Sequence, residues 1–313
     1  MMRRLGRSLA WRLRRVAMAL AAPEDLNAWR IEHNALDMAA ARVIPISPVS
    51  PVSPVASIDA ASAGGTVSQD DVLGFCRRLA PHDVEGHRKV RLGGENDGGY
   101  VLIDDFSEVN TVISCGISND VSCDLAFAEL GKDIIQFDHT VEGPPVAHSR
   151  FDFRKQAIDE LRVIPGSTRL SDVIRGLGEA GKSDLVLKID IDGGEWTTFA
   201  KMPAQDLARC RQVACEFHDN SKLGDLESFA LYKAAIATIL ENFFPAHLHA
   251  NNFAGFAIVA GVPIPEVFEV TFVNRKFYSP SSRQHVGPTD VDAPNNENAP
   301  DLFLGSPFLL ASH

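Results

Sequence analysis

The stretch Val109-Asn-Thr-Val-Ile-Ser-Cys115, stopped by Gly116, decides how this chain is read. Its β-branched residues suit a buried strand, and the glycine lets the backbone turn sharply at its end. A helical stretch follows, with Leu125, Ala128 and Leu130 on one face and Gly131 as its stop. Ile134-Ile-Gln-Phe-Asp138 reads as the next strand. Further on, Leu170, Val173, Ile174 and Leu177 mark a helix. Leu185-Val-Leu-Lys-Ile-Asp-Ile191 and Val213-Ala-Cys-Glu-Phe-His218 read as strands. Leu226, Phe229, Ile236, Leu240 and Phe243 then recur at helical spacing, and Phe256–Ala260 and Val267–Val273 close the series as strands. Strands alternating with helices predict an α/β fold built on a mostly parallel sheet. Such sheets bind ligands outside the carboxyl ends of their strands.

Around this core the composition changes. Residues 1–15 carry six arginines and no acid, and residues 23–42 read as helical, so 1–44 form a basic arm and helix. Residues 45–68 repeat a Ser-Pro-Val unit and run into small residues; proline fixes φ and removes donors, which makes this a linker. Residues 69–280 form the α/β domain, and 281–313 a polar tail. The whole chain of 313 residues is 45% hydrophobic and 23% charged, ordinary for a globular protein. Its formal charge of -11 argues against general binding to nucleic acid, which depends on neutralising phosphates. The arginine-rich arm nonetheless offers a peripheral contact with anionic membrane. Five cysteines without a CxxC pair make a disulfide framework an unattractive reading and a cytoplasmic location the expected one.

Chemistry concentrates at the predicted strand ends. Ser114-Cys-Gly-Ile-Ser-Asn-Asp120 is a tight strand-to-helix turn that lets backbone N–H groups approach a ligand. Asp138 ends the following strand, where a carboxylate commonly accepts the hydroxyls of a ribose. One glycine in the turn, against the three of GxGxxG, disfavours a nicotinamide dinucleotide. In Lys188-Ile-Asp-Ile-Asp-Gly-Gly-Glu-Trp196, alternation puts Lys188, Asp190 and Asp192 on one face, where buried charge requires partners or a ligand. Asp192 and Glu195 also have the spacing of a capping box. Glu216 and His218 share a face, as do His247, His249 and Asn251 if that segment is extended. Histidine and carboxylate suit divalent metals, but the spacing matches no zinc signature and no metal is assigned. His218 has the chemistry to take a proton from a substrate hydroxyl. Before the first strand, Arg91-Leu-Gly-Gly-Glu-Asn-Asp-Gly-Gly-Tyr100 reads as a hairpin whose acidic turn suits an ammonium group.

Asn96–Tyr100, Ser114–Asp120, Gln136–Asp138, Lys188–Trp196, Glu216–His218 and His249–Asn252, in that order, resemble the FkbM-like S-adenosylmethionine-dependent methyltransferases over roughly residues 88–275. The resemblance implies a Rossmann-like sheet of seven strands, the last antiparallel, with helices on both faces. It implies transfer of a methyl group to oxygen, often on a sugar or secondary metabolite, so a small-molecule or glycan acceptor is the expected partner. It places Gly116 and Asp120 against the methionine part of the cofactor and Asp138 on its ribose. Asp97, Gly98, Gly99, Asn119 and Asp190 complete the expected cofactor site. Glu216, His249 and Asn251 are assigned to the acceptor, and His218, with Asp190 orienting it, to catalysis. Family members commonly carry Glu where Asp192 stands. A cofactor-binding protein without the reaction and a sugar-nucleotide enzyme are the alternatives on the same fold.

Overall fold

The computed structural model describes residues 66–181, 184–284 and 287–309; the arginine-rich arm, the helix expected at 23–42 and the proline repeat lie outside the described residues. Helix α1 (Gln69–Arg78) opens the described chain. Its start is a reciprocal cap: the Asp71 N–H donates to Ser68 Oγ (3.2 Å) and the Ser68 N–H to Asp71 Oδ2 (3.1 Å). After β1 (His82–Val84), the hairpin β2 (Lys89–Leu92) and β3 (Tyr100–Ile103) encloses the acidic turn, as its glycines predict. Then follow β4 (Thr111–Cys115), α2 (Ser122–Glu129), β5 (Asp133–Phe137), β6 (Phe151–Arg154), α3 (Leu170–Glu179) and β7 (Leu185–Ile189). The second half comprises α4 (Glu195–Lys201), α5 (Ala204–Leu207), β8 (Cys210–Phe217), α6 (Leu226–Leu240), β9 (Phe243–Ala250), β10 (Phe256–Val259), β11 (Val262–Pro265), β12 (Phe268–Asn274) and β13 (Pro280–Gln284). Among the described residues no helix is long and apolar enough to cross a membrane.

Seven strands form the central sheet in the order β6-β5-β4-β7-β8-β12-β9. The first five are parallel; β12 runs antiparallel between β8 and β9. The last strand of the seven is thus the antiparallel one. The chain leaves β4 for β5 on one side and resumes at β7 on the other, so a crevice opens between the carboxyl ends of β4 and β7.

Strand parity divides the two faces. Odd positions (Ile113, Cys115, Leu187, Ile189, Val213, Cys215, Phe217) join α1, α3, α4 and α6 in the main core. Trp196 of α4 lies at its centre, stacked 4.1 Å from Phe217 and 4.0 Å from Tyr232. Even positions on the other face (Val112, Ile134, Val186, Ala214) pack under α2 and the β2–β3 hairpin. Gln212 pins that hairpin: its amide receives the Ile103 N–H (2.8 Å) and donates to the Ile103 carbonyl (2.8 Å).

Three local expectations are corrected. Phe243 starts β9 rather than continuing α6, because the helix ends at Leu240 and Phe243–Ala250 is buried at every position between sheet and cover. Phe256–Val259 is absent from the central sheet. Ala260 and Gly261, both at positive φ (48° and 82°), fold it directly onto β11 as a separate two-stranded ribbon. Finally, Asp192 and Glu195 form no capping box. Asp192 sits at φ 55°, Gly194 is the N-cap, and Glu195 turns back to accept N–H bonds from Ile191 (2.7 Å) and Gly193 (3.0 Å).

Candidate active site

Four strand ends meet at the crevice. At the end of β4, Gly116 takes φ 78°, and a Cβ there would run into the Asp190 carbonyl; only glycine lets the ends of β4 and β7 approach so closely. Its carbonyl accepts a hydrogen bond from Lys188 Nζ. Asp138, just past β5, clips the turn shut: Oδ2 accepts the N–H groups of Ile117 (3.1 Å) and Ser118 (2.9 Å). Its Oδ1 accepts the N–H (2.7 Å) and hydroxyl (2.6 Å) of Thr140. Asp120 accepts the Ser122 N–H (2.7 Å), and its carboxyl packs against Gly98, whose φ of 91° brings the acidic turn onto the β4 turn. Arg91 braces that acidic turn by donating to the carbonyls of Gly94 (2.9 Å) and Asn96 (2.7 Å). Asp97, Gly98, Gly99, Gly116, Asp120 and Asp138 therefore belong to one contiguous rim, whereas Asn119 is exposed at its edge.

Asp190 stands at the centre. Its Oδ2 accepts the Tyr100 hydroxyl (3.2 Å) and lies 3.8 Å from Lys188 Nζ; its Oδ1 faces His218 Nε2 at 3.9 Å. Burial and the Asp190 charge push the Tyr100 phenol well up, so it remains a donor. Burial alone would depress Lys188, but Asp190 and Asp124 outweigh it and keep the ammonium charged. His218, just past β8, is bracketed by carboxylates: Nδ1 lies 3.3 Å from Glu195 Oε1 and Nε2 3.1 Å from Glu216 Oε1. Burial would lower its pKa; Glu195 and Glu216 overcome burial and raise it well above the ordinary value. Both ring nitrogens of His218 therefore face carboxylates, Nδ1 facing Glu195 and Nε2 facing Glu216 and Asp190. Glu216 is pushed up from the carboxylate range, first by burial and then by Asp190.

Beyond β8 the ladder places Glu216 opposite Glu269 of β12, and Glu269 opposite His249 of β9. The segment is extended, so His247 and His249 do share a face. Asn251 donates to Glu216 Oε1 (3.3 Å), which joins the three expected acceptor residues into one row. A strap from the region past 280 covers that row. Asp292 accepts from His247 Nε2 (2.8 Å), Asn295 donates to Glu269 Oε1 (2.6 Å), and Asp301 lies 2.9 Å from His249 Nε2. Burial depresses the His249 pKa, but Asp301 and Glu269 more than compensate and raise it to about 10. Burial pushes His247 down instead, so it reaches Asp292 as a neutral donor.

Sequence reasoning missed the strap, because Asp292, Asn295 and Asp301 sit in a polar run with no periodicity. It also gave Tyr100 and Lys188 no part in the site, although the alternation around Lys188 already placed it on the face of Asp190.

No family model matches this chain, and no curated protein does, so the FkbM likeness rests on the quoted motifs. Among solved structures, a 2.2 Å crystal structure of WbdD is 14% identical with a TM-score of 0.31, covering 58% of this chain. The chain spans only 40% of the length of WbdD. A structure reported for the conversion of a disulfide bond into a thioacetal group during echinomycin biosynthesis is 11% identical with a TM-score of 0.27. It covers 53% of this chain and 76% of its own. Likeness at that level does not bear on activity, and the chemistry of the site carries the functional reading.

Proposed function

We propose that this chain is an S-adenosylmethionine-dependent methyltransferase of the FkbM kind, acting on a hydroxyl of a sugar or secondary-metabolite acceptor. One observation carries the reading: Gly116, Asp138 and Asp190 converge at the point where the strand order reverses. The residues present fit a cationic methionyl group, since Asp97, Asp120 and Asp190 line the rim. They fit a ribose with one condition. Asp138 already accepts four bonds, a full complement for a carboxylate, so ribose hydroxyls would take the place of those from Thr140. Bound here, S-adenosylmethionine would supply an already activated methyl group.

The protein then has two tasks, to orient the acceptor and to remove its proton. Orientation falls to Asn251, Glu269 and His249 along the β8–β12–β9 ladder. Proton removal falls to the His218–Glu216 pair at the end of β8, whose facing atoms lie 3.1 Å apart. The raised pKa of Glu216 suits a base working near neutrality.

Calorimetry and labelled-methyl mass spectrometry against a glycan and metabolite panel test the reading. Asp138→Ala should weaken S-adenosylmethionine binding by ~1.5–3 kcal/mol, the usual loss for a charged hydrogen-bond acceptor. Unchanged affinity, or no methylated product from any acceptor, would remove the reading.

A further inference from the structure

We infer that Asp190, Asp192 and His218 form a binding site for one divalent cation of the magnesium–manganese class. The part of this ion in turnover rests on the methyl-transfer reading; its binding does not. One donor atom from each residue lies within 4.8 Å of the others. The decisive distance is 3.9 Å between Asp190 Oδ1 and His218 Nε2. That is too long for a hydrogen bond. It suits two donors sharing an ion at ~2.0–2.2 Å from each.

Both donors are also aimed. Tyr100 and Lys188 occupy the Oδ2 side of Asp190 and turn Oδ1 towards His218. Glu195 holds the Nδ1 side of the imidazole at 3.3 Å, and is itself fixed by the N–H groups of Ile191 and Gly193. The indole of Trp196 grips the His218 carbonyl at 2.8 Å. A carboxylate on one ring nitrogen is the common way of presenting the other to a metal. Independently, Glu216 Oε2 is buried with no hydrogen-bond partner, in a residue only 1% exposed, while Oε1 stands 3.1 Å from His218 Nε2. A buried acceptor left without a donor beside that nitrogen calls for a partner, and a cation between these groups supplies one. Four carboxylates (Asp190, Asp192, Glu195, Glu216) surround Lys188 and His218. A cation there would offset the negative charge of the carboxylates.

Carboxylates are hard donors, which favours magnesium or manganese. Three protein ligands leave coordination positions open to an acceptor hydroxyl. The ion would ease loss of that hydroxyl's proton to Glu216. The oxygen then forms its bond to the methyl carbon as the carbon–sulfur bond of the sulfonium breaks, leaving a neutral thioether.

Manganese alone, titrated into the full chain and followed by electron paramagnetic resonance, tests the site. One tightly bound ion is expected, with nitrogen modulation in the spin echo from His218. Asp190→Asn and Asp192→Asn should each weaken binding, and His218→Gln should abolish the nitrogen signal. Glu195→Gln should keep that signal but bind the ion about 10–100-fold more weakly. No bound manganese at millimolar concentration, or bound manganese without nitrogen coupling, overturns the site; the wild-type spectrum decides even if a variant fails to fold. Full methyl transfer in EDTA would overturn the ion's part in turnover. Bound manganese with the nitrogen signal but no transfer to any acceptor would support the site and count against the methyltransferase reading.

Discussion

The two faces of the central sheet are made by the same strands and behave as different materials. On the odd face, Ile189, Cys215 and Phe217 meet Trp196, Phe229 and Ile236 in an apolar core. On the opposite face, at its carboxyl end, Lys188 and Glu216, together with Glu269, His247 and His249 of the antiparallel ladder where the numbering parity inverts, are just as deeply buried but polar or charged, and are held by a hairpin and a strap. Glu216 and Glu269 lie directly opposite one another across β8 and β12, a placement that destabilises when both are charged. The comparison separates stability from chemistry: one face is an apolar core, whereas the other is apolar under α2 and the hairpin and gives up apolar packing at its carboxyl end to assemble a site.

Substitutions should break the molecule differently on the two faces. The largest effect is expected from Glu216→Gln, which removes one half of the proposed proton-accepting pair and a like-charge neighbour of Glu269. Turnover should fall by ~10²–10⁴-fold, the usual contribution of a general base. Stability in urea should stay level or rise. A Glu216→Gln protein that unfolds early but still turns over would reverse the comparison. Trp196→Ala, on the odd face, should cost ~3–5 kcal/mol of stability from lost packing. It also frees the His218 carbonyl, so any surviving folded protein should lose turnover as well; a stability loss below about 1 kcal/mol would show the odd-face core to be less tightly packed than its stacking implies.

The smallest effect sharpens the comparison within the even face. His249 has its folded pKa raised to about 10, against an unfolded value near 6.5. A raised pKa means that its pairing with Asp301 is fully stabilising below the unfolded value and is lost as pH rises through the folded one. The strap should therefore loosen between pH ~6.5 and ~10, seen as a fall in amide protection relative to the intrinsic exchange rate at residues 292–301 with the main apolar core still protected. Asp301→Asn should abolish that pH dependence. Protection in the strap that stays constant over this window would detach His249 from its hold on the tail.

Much of this was legible along the chain because it depends on neighbours in sequence. A two-residue period distinguishes the faces of a strand wherever one face is apolar, and so the sequence alone puts Lys188 and Asp190 on one face. The turn at Gly116 and the strand-ending positions of Asp138 and His218 follow from local punctuation. Fold class and the clustering of Lys188, Asp190 and His218 at the strand ends thus belong to the sequence. Periodicity tells which face of a segment is covered but not by what, and the rest was settled there. Tyr100 reaches Asp190 across 90 residues, and Asp301 reaches His249 across 52. The spacing of Glu195 is open to both a helix cap and site chemistry, and only the packing of α4 against β8 sets its carboxylate on His218 Nδ1. Likewise β9 took the place in the sheet that Phe256–Ala260 was expected to fill, since a tight turn paired that run with its own neighbour first. Strand order, the antiparallel β12 and the strap are competitions among distant segments for the same buried surface, and only the tertiary structure decides them.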